Sequence, residues 1–162
     1  MRRALARWSW ALACALVLAG CATPPRKAAP GEQSWTGRLA LNVEGQASQS
    51  FSAGFELKGA PEAGELTLTN PLGGTLAVLS WSPGKATMQA SGKSREFGSL
   101  EALAQEATGA PLPVASLFDW LAGKPTPVEG WAVDVSAVSE GRLHAQRTAP
   151  PPLADLRVVF ER

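Results

Sequence analysis

Apolar and polar residues alternate with a period of two through much of the chain. This alternation is typical of strands with one buried face. It predicts strands over residues 35–43, 51–57, 65–69, 76–81, 86–90 and 95–97. Turn-forming Gly, Pro and Ser lie between these segments, which recur roughly every ten residues. The pattern therefore predicts an antiparallel meander, in which neighbouring strands are joined by short turns.

The period becomes helical at Ser99. Ser99 is suited to cap the beginning of a first helix and Gly109 to cap its end, around an apolar stripe of Leu100, Leu103, Ala104 and Ala107. Pro113 suits the first turn of a second helix that Gly123 ends. The apolar stripe of this helix is Val114, Leu117, Phe118 and Leu121.

Period two then returns in three further strands, around residues 131–135, 143–145 and 156–160. The order of strands, two short helices and more strands predicts a mainly β fold, a curved antiparallel sheet whose concave face the helices cover. Two short helices cover only part of a nine-stranded surface. Either the sheet closes on itself or an apolar cavity remains beneath the helices.

The first 20 residues have the pattern of a signal peptide. Basic residues at positions 2, 3 and 7 precede an apolar run over residues 8–19, which is too short to span a bilayer comfortably. Leu18-Ala19-Gly20-Cys21 resembles a bacterial lipobox. The resemblance implies cleavage before Cys21 and acylation of its sulfur and amino group. The alternative is an ordinary secretory signal with a coincidental cysteine.

Residues 21–33 follow as a lipidated N-terminus and flexible tether, and residues 34–162 as one folded domain. The tether contains Pro24-Pro25, Pro30 and Gly31 and has no periodicity. Its first residue after the cysteine is Ala22, not the aspartate that retains enterobacterial lipoproteins in the inner membrane. By analogy, this predicts lipid anchoring in the outer membrane.

Charge and composition exclude some classes of function. Loss of the signal peptide leaves 12 basic residues against 14 acidic ones, so the charge gives no case for binding nucleic acid. Cys21 would be the only remaining cysteine, which excludes an internal disulfide. With one histidine, His144, no metal site is predicted.

An enzyme, such as a lipid hydrolase, is a weaker hypothesis. The chain contains no G-x-S-x-G motif, and His144 has no evident acidic partner in its strand pattern. Glu101, Glu106 and Asp119 fit solvated helix faces, or for Asp119 a hydrogen bond that closes a loop. No catalytic residue is predicted.

Asn70-Pro71-Leu72-Gly73-Gly74 lies between two predicted strands and is rich in turn formers. Leu72 is a large apolar residue in a segment that should project from the sheet. Two interpretations remain open at this point. Leu72 either folds back over the edge of the sheet or forms an exposed apolar tip that contacts a membrane or a partner.

With these motifs the chain resembles the LolB family of outer-membrane lipoprotein receptors. The resemblance rests on the lipobox, on Trp35-x-Gly37-Arg38, on Phe51-x-Ala53-x-Phe55 and on the segment from Leu66 to Thr75 around Asn70-Pro71-Leu72-Gly73. It continues through Leu112-Pro113-Val114 to Asp119-Trp120-Leu121-x-Gly123. The combination is more specific than any single motif.

The resemblance implies an incomplete, half-open antiparallel β-barrel with two short α-helices as a lid over an apolar cavity. It implies a monomer, anchored in the outer membrane and facing the periplasm, that accepts acylated lipoproteins from the periplasmic carrier LolA and inserts them into outer-membrane lipid. It implies no cofactor and no enzymatic reaction.

The resemblance also assigns site residues. Leu72, with Asn70, Pro71 and Gly73, would form the membrane-insertion loop. The acyl-chain cavity would be lined by Leu39, Leu41, Phe51, Phe55, Leu66, Leu68, Val78, Trp81, Met88, Leu117, Phe118 and Leu121, with Trp120 as a further aromatic candidate. Each of these residues also suits an ordinary core.

A structural lipoprotein that binds another envelope protein through its sheet is the alternative function. It would share the anchor and the strands but would need no cavity for acyl chains.

Overall fold

The computed structural model describes residues 32–44 and 50–161. Within these ranges the chain forms nine strands, two α-helices and one short 3₁₀ helix, Val138–Glu140. The strands are β1 Gln33–Val43, β2 Ser50–Gly59, β3 Gly64–Thr69, β4 Thr75–Ser82, β5 Lys85–Ala90, β6 Lys93–Phe97, β7 Trp131–Asp134, β8 Arg142–Arg147 and β9 Ala154–Glu161. The helices are α1 Leu100–Thr108 and α2 Val114–Leu121. The predicted mainly β fold is confirmed.

All nine strands belong to one antiparallel sheet with the order β6-β5-β4-β3-β2-β1-β9-β8-β7. The first six strands form the predicted meander. The last strand, β9, then pairs with β1, so that the first and last strands lie side by side in the middle of the sheet. β6 and β7 are its two edges and do not pair with each other. The sheet is therefore open.

Antiparallel pairing separates the connections between strands into two groups. The loop of residues 70–74 and the turn of residues 91–92 lie at one end of the sheet, here called the leucine end. The turns of residues 60–63 and 83–84 lie at the opposite end, together with Gln33 at the beginning of β1. We call this the N-terminal end.

The strand pattern buries one face of the sheet, here called the inner face. Along β1, Trp35, Leu39, Leu41 and Val43 are buried. Gly37 interrupts this series because a Cβ atom there would lie 2.1 Å from the backbone oxygen of Val159 on β9. Because Gly37 has no side chain, β1 and β9 can approach each other closely. This packing explains the glycine in the Trp35-x-Gly37 motif.

Both helices begin and end where the sequence predicts. The Ser99 hydroxyl accepts a hydrogen bond from the Ala102 amide at 3.1 Å, and Gly109 ends α1 in the left-handed conformation. Pro113 directly precedes α2, and Gly123, with a φ of 85°, follows its last turn. Neither helix in the described ranges is long and apolar enough to cross a membrane.

The two helices pack through their apolar faces into the same hydrophobic cluster as the inner face of the sheet. Leu103 and Ala104 of α1 are fully buried, and Leu117, Phe118 and Leu121 of α2 are almost so. Phe118 contacts the rings of Trp35 on β1 and Trp81 on β4. The helices therefore bridge strands that are distant in the sheet.

The predicted signal peptide and Cys21 lie outside the described residues. So does the tether, apart from residues 32 and 33. The prediction placed Gln33 at the end of the tether, whereas the structure makes it the first residue of β1. The lipidation site stays a prediction.

Candidate functional site

Most residues that the resemblance assigns to an acyl-chain cavity are buried in one cluster between the sheet and the helices. Phe51 and Met88 are partly buried and pack against this cluster. The buried members are Leu39, Leu41, Phe55, Leu66, Leu68, Trp81, Leu117, Phe118 and Leu121. Because a well-packed core has the same appearance, their contact with acyl chains stays a prediction.

Val78 is the exception, and its assignment to the inner face is wrong. It lies on the outer face of β4, whereas its neighbours Ala77 and Leu79 are buried on the inner face together with Trp81. Residues 76–79 are all apolar, so local alternation does not reveal which face is inside. Strand parity with Trp81 identifies Leu79 as the inward residue.

An aromatic stack joins the sheet to α2. The Phe118 ring meets Trp35 edge to face at a centroid distance of 5.7 Å and meets Trp81 in the same manner at 6.1 Å. The indole nitrogen of Trp81 donates to the backbone oxygens of Ala60 and Pro61 at the N-terminal end. Trp81 therefore satisfies its polar atom at the rim and presents an apolar ring to the interior.

The described interior is apolar in chemistry. Thr108 is the one buried polar residue of the described chain, and its hydroxyl donates to the backbone oxygen of Ala104 at 2.8 Å, with the backbone oxygen of Ala110 at 2.9 Å. An interior of this kind can hold aliphatic or aromatic groups.

Two clefts open at the N-terminal end next to the aromatic stack. One has a volume of about 280 Å³ and is lined by Trp81, Leu100 and Ala115 among others. The second, of about 290 Å³, is lined by Gln33, Ser34, Trp35 and Ala122. Each cleft thus includes one of the two tryptophans that Phe118 contacts.

Trp120 lies on a different side of α2 and is fully buried. Its ring packs at 6.1 Å from Trp131 on β7, and its indole nitrogen donates to the Thr126 backbone oxygen at 2.8 Å. The Thr126 hydroxyl donates to Asp119 at 2.7 Å. Asp119 therefore closes the loop after α2, as one of the two sequence interpretations predicted.

The loop of residues 70–74 holds Leu72 away from the protein, with 95% of the residue exposed. The Asn70 side-chain oxygen accepts hydrogen bonds from the backbone amides of Leu72 and Gly74, both at 2.9 Å. Gly73 has a φ of 85°, which favours glycine. The loop is thus fastened by its own polar groups, and the interpretation that Leu72 folds back over the sheet is wrong.

His144 has an acidic partner, contrary to the sequence interpretation. Its Nε2 atom lies 2.7 Å from Asp155 on the neighbouring strand, and Gln146 and Arg157 also donate to that carboxylate. Burial would raise the pKa of Asp155, but the hydrogen bonds from His144 and Gln146 and the positive charges of His144 and Arg157 together hold this pKa below its usual value.

The His144–Asp155 pair does not form a hydrolase site with these neighbours. Gln146 and Arg157 are not nucleophiles, and the group lies on the outer face of β8 and β9. Register pairs His144 with Arg157 and Gln146 with Asp155, which a sequence pattern without strand pairing does not reveal.

Comparison with known proteins identifies close similarity over most of the folded region. Residues 32–152 match the model of the family described as Outer membrane lipoprotein LolB. The chain is 32% identical over 143 residues to an outer-membrane lipoprotein LolB from Chromobacterium violaceum, which covers 83% of this chain and 76% of that protein. The corresponding Cupriavidus pinatubonensis protein is 32% identical over 167 residues, covering 87% and 81%.

The Bordetella petrii protein of the same name is 39% identical over 123 residues. This match covers 72% of the present chain but 61% of the Bordetella protein. The chain thus spans less than two thirds of that relative's length.

Proposed function

The chain belongs to the family of the outer membrane lipoprotein LolB, whose role is in lipoprotein localisation, and from this premise we propose that it receives acylated lipoproteins and inserts them into the outer membrane. The observation that carries the proposal is Leu72, 95% exposed on a fastened loop of a domain whose interior is apolar. The family is not an enzyme family, and the proposed activity is transfer without covalent chemistry.

The acyl chains of the cargo would bind between the inner face of the sheet and the two helices. Each CH₂ group of an acyl chain that is removed from water contributes about 0.8 kcal/mol to the free energy of binding. Removing several whole chains from water requires a large apolar site. The buried residues of the predicted set, with Leu79 in place of Val78, provide aliphatic and aromatic side chains in one cluster.

In this proposal α1 and α2 act as a lid. The clefts of about 280 and 290 Å³ at the N-terminal end are small for several acyl chains. Binding therefore requires the helices to move away from the sheet. The contacts of Phe118 would break first in this movement, because they link α2 to both Trp35 and Trp81.

Delivery would occur at the opposite end of the sheet. Leu72 projects from the leucine end, where an exposed leucine can enter the apolar part of a bilayer. Asn70 would keep the tip extended, because its side-chain oxygen accepts hydrogen bonds from the amides of Leu72 and Gly74. Pro71 and Gly73 would shape the turn.

The partners of the proposed reaction are the periplasmic carrier LolA, the acylated cargo and outer-membrane lipid. The protein would act as a monomer that faces the periplasm, anchored through acylated Cys21 after removal of residues 1–20. Residues 21–33 would tether the domain. The names of the relatives, outer-membrane lipoproteins, support this location.

Transfer of cargo tests the proposal directly. A carrier–lipoprotein complex is incubated with the mature protein in vesicles, and the cargo is followed from carrier to receptor and then into lipid. We expect the cargo to leave the carrier and an apolar fluorescent probe to compete with it. If no cargo changes hands and no saturable probe binding occurs, the alternative of a structural lipoprotein is supported instead.

A further inference from the structure

A surface cleft lies next to the leucine loop, where β4, β5 and β6 meet at the leucine end. Its volume is about 310 Å³. Thr75, which follows the loop by one residue, contributes to its wall. The apolar and polar side chains that line it include Leu76, Val78, Ala90, Ser91, Lys93 and Ser94.

The cleft and the loop each have an exposed leucine. Among the described residues, the large apolar side chains with substantial exposure are Leu72, Leu76 and Val159, at 95%, 39% and 60%. Leu72 and Leu76 both lie at the leucine end and are separated by three small or polar residues. One exposed leucine therefore lies on the loop and a second lines the cleft, at the same end of the sheet.

The lining of the cleft contains one basic side chain, Lys93, and no acidic one. Along the chain no Asp or Glu occurs between Glu65 and Glu96, and of the three basic residues in that segment Lys85 lies at the N-terminal end. Lys85 pairs with Glu96, and Arg95 pairs with Glu106 on α1. Lys93 has no ion-pair partner among the described residues, and it lines the cleft. It is the uncompensated cation beside the leucine loop.

We propose that this cleft binds the headgroup of an anionic phospholipid in the membrane that Leu72 enters. Leu72 and Leu76 would contact the acyl region, while Lys93 would contact the phosphate level above it, as basic side chains do at membrane interfaces. The hydroxyls of Ser91 and Ser94 are available as donors to phosphate oxygens. The headgroup contact would orient the loop for delivery.

The occupant is a bilayer lipid and not a free anion, because exposed Leu76 lines the cleft and exposed Leu72 lies at the same end of the sheet. A soluble phosphate would use Lys93 but would leave Leu72 and Leu76 in water. The inference rests on the proposed function, since it specifies the lipid toward which the loop is directed.

Delivery into vesicles of different charge tests the inference. The mature lipidated protein is reconstituted in phosphatidylcholine alone or in phosphatidylcholine mixed with phosphatidylglycerol, and the rate of cargo insertion is measured. One basic side chain near an anionic surface corresponds to about a fivefold change in binding. We expect Lys93→Gln to slow insertion by about this factor in the anionic vesicles only.

Lys85→Gln is the matched control, because it removes the same charge at the N-terminal end of the same group of strands. It should insert cargo at the wild-type rate in both vesicles. Lys93→Arg keeps the charge and should behave as wild type. Equal rates for Lys93→Gln and Lys85→Gln in anionic vesicles would overturn the headgroup site.

Two further measurements separate this inference from the proposed function and from a free-anion site. Leu72→Glu should block insertion into both kinds of vesicle. Normal insertion by that variant would refute the proposed function, while a block together with an unaffected Lys93→Gln variant would refute the headgroup site alone. Inorganic phosphate is compared with chloride at equal ionic strength. Inhibition specific to phosphate would assign the cleft to free anions.

Discussion

At the scale of single residues, the leucine loop shows how polar atoms keep an apolar side chain in water. The Asn70 side-chain oxygen accepts hydrogen bonds from the amides of Leu72 and Gly74. The loop therefore keeps its shape without packing Leu72 against the protein. A leucine exposed by 95% adds nothing to the core. The role that we propose for it is a contact outside the molecule.

Replacement of this leucine is expected to separate delivery from folding. Leu72→Glu should leave the melting temperature and cargo acceptance unchanged and weaken membrane insertion by about thirtyfold, because a leucine side chain contributes roughly 2 kcal/mol on leaving water. Cargo insertion into vesicles measures the effect. Val159→Glu, at another exposed apolar position, is the control and should insert normally. An unfolded Leu72→Glu variant would contradict the assignment.

Asp155 makes a pH-dependent contribution to stability. Its pKa is below its ordinary value of 3.8, so the folded state favours the carboxylate. The stabilisation is complete above the unfolded pKa and disappears as the pH falls through the lower, folded pKa. Asp155→Asn should lose up to about 1 kcal/mol at neutral pH, with the difference from wild type vanishing in acid. Urea unfolding at several pH values measures it, and a constant difference would contradict it.

At the scale of elements, α2 has a double role. Its last two turns carry Phe118 toward Trp35 and Trp81, and Trp120 toward Trp131. One short helix thus contacts β1, β4 and β7. These contacts hold α2 against the sheet, and under the proposed function they are the interactions that would break to admit an acyl chain.

Removal of the Phe118 ring is expected to destabilise the fold and open the interior. Phe118→Ala should lower the free energy of unfolding by about 3–5 kcal/mol. A saturating apolar probe should raise the melting temperature of this variant more than that of wild type, because the probe occupies the vacated space. Leu156→Ala, a buried truncation on β9, is the control. If the probe raised the melting temperature equally in all three proteins, Phe118 would not be the residue that closes the apolar interior.

At the scale of the whole molecule, the N-terminus of the domain and the leucine loop lie at opposite ends of the sheet. Register pairs Thr69 with Gly54 and Gly54 with Arg38, so the loop begins level with the sixth residue of β1. The strand from Gln33 to Arg38 is about 17 Å long, and the loop extends farther. A membrane anchor before Gln33 must span this distance if Leu72 is to reach the same bilayer.

Shortening of the predicted tether should therefore impair delivery. Residues 22–32 reach at most about 37 Å when extended. Removal of most of them should leave cargo acceptance intact and reduce insertion into the anchoring membrane. Restoring the length with Gly and Ser should restore insertion, since reach and not sequence is required. Unimpaired insertion by the shortened protein would contradict the need for reach.

Local pattern was sufficient for the secondary structure because each strand and helix has its own periodicity and caps. Ser99 begins α1 with a side-chain cap, and Gly109, which has no Cβ atom, ends it in the left-handed conformation. Local pattern failed at Val78, where residues on both faces of β4 are apolar. It also failed at His144, because Asp155 becomes its neighbour through strand pairing alone.

The sequence by itself determined the order of strands and helices, the turn-forming segment around Leu72 and the family to which the chain belongs, since all of these rest on residues close together in the chain. The tertiary structure decided that the sheet stays open between β6 and β7 and that Leu72 faces solvent. It also brought Lys93 to the cleft beside Leu76 and joined Phe118 to two distant tryptophans. The open sheet, the cleft and the aromatic contacts depend on strand register and helix packing, which are set by contacts between residues far apart in sequence. The exposure of Leu72 depends instead on hydrogen bonds within its own loop.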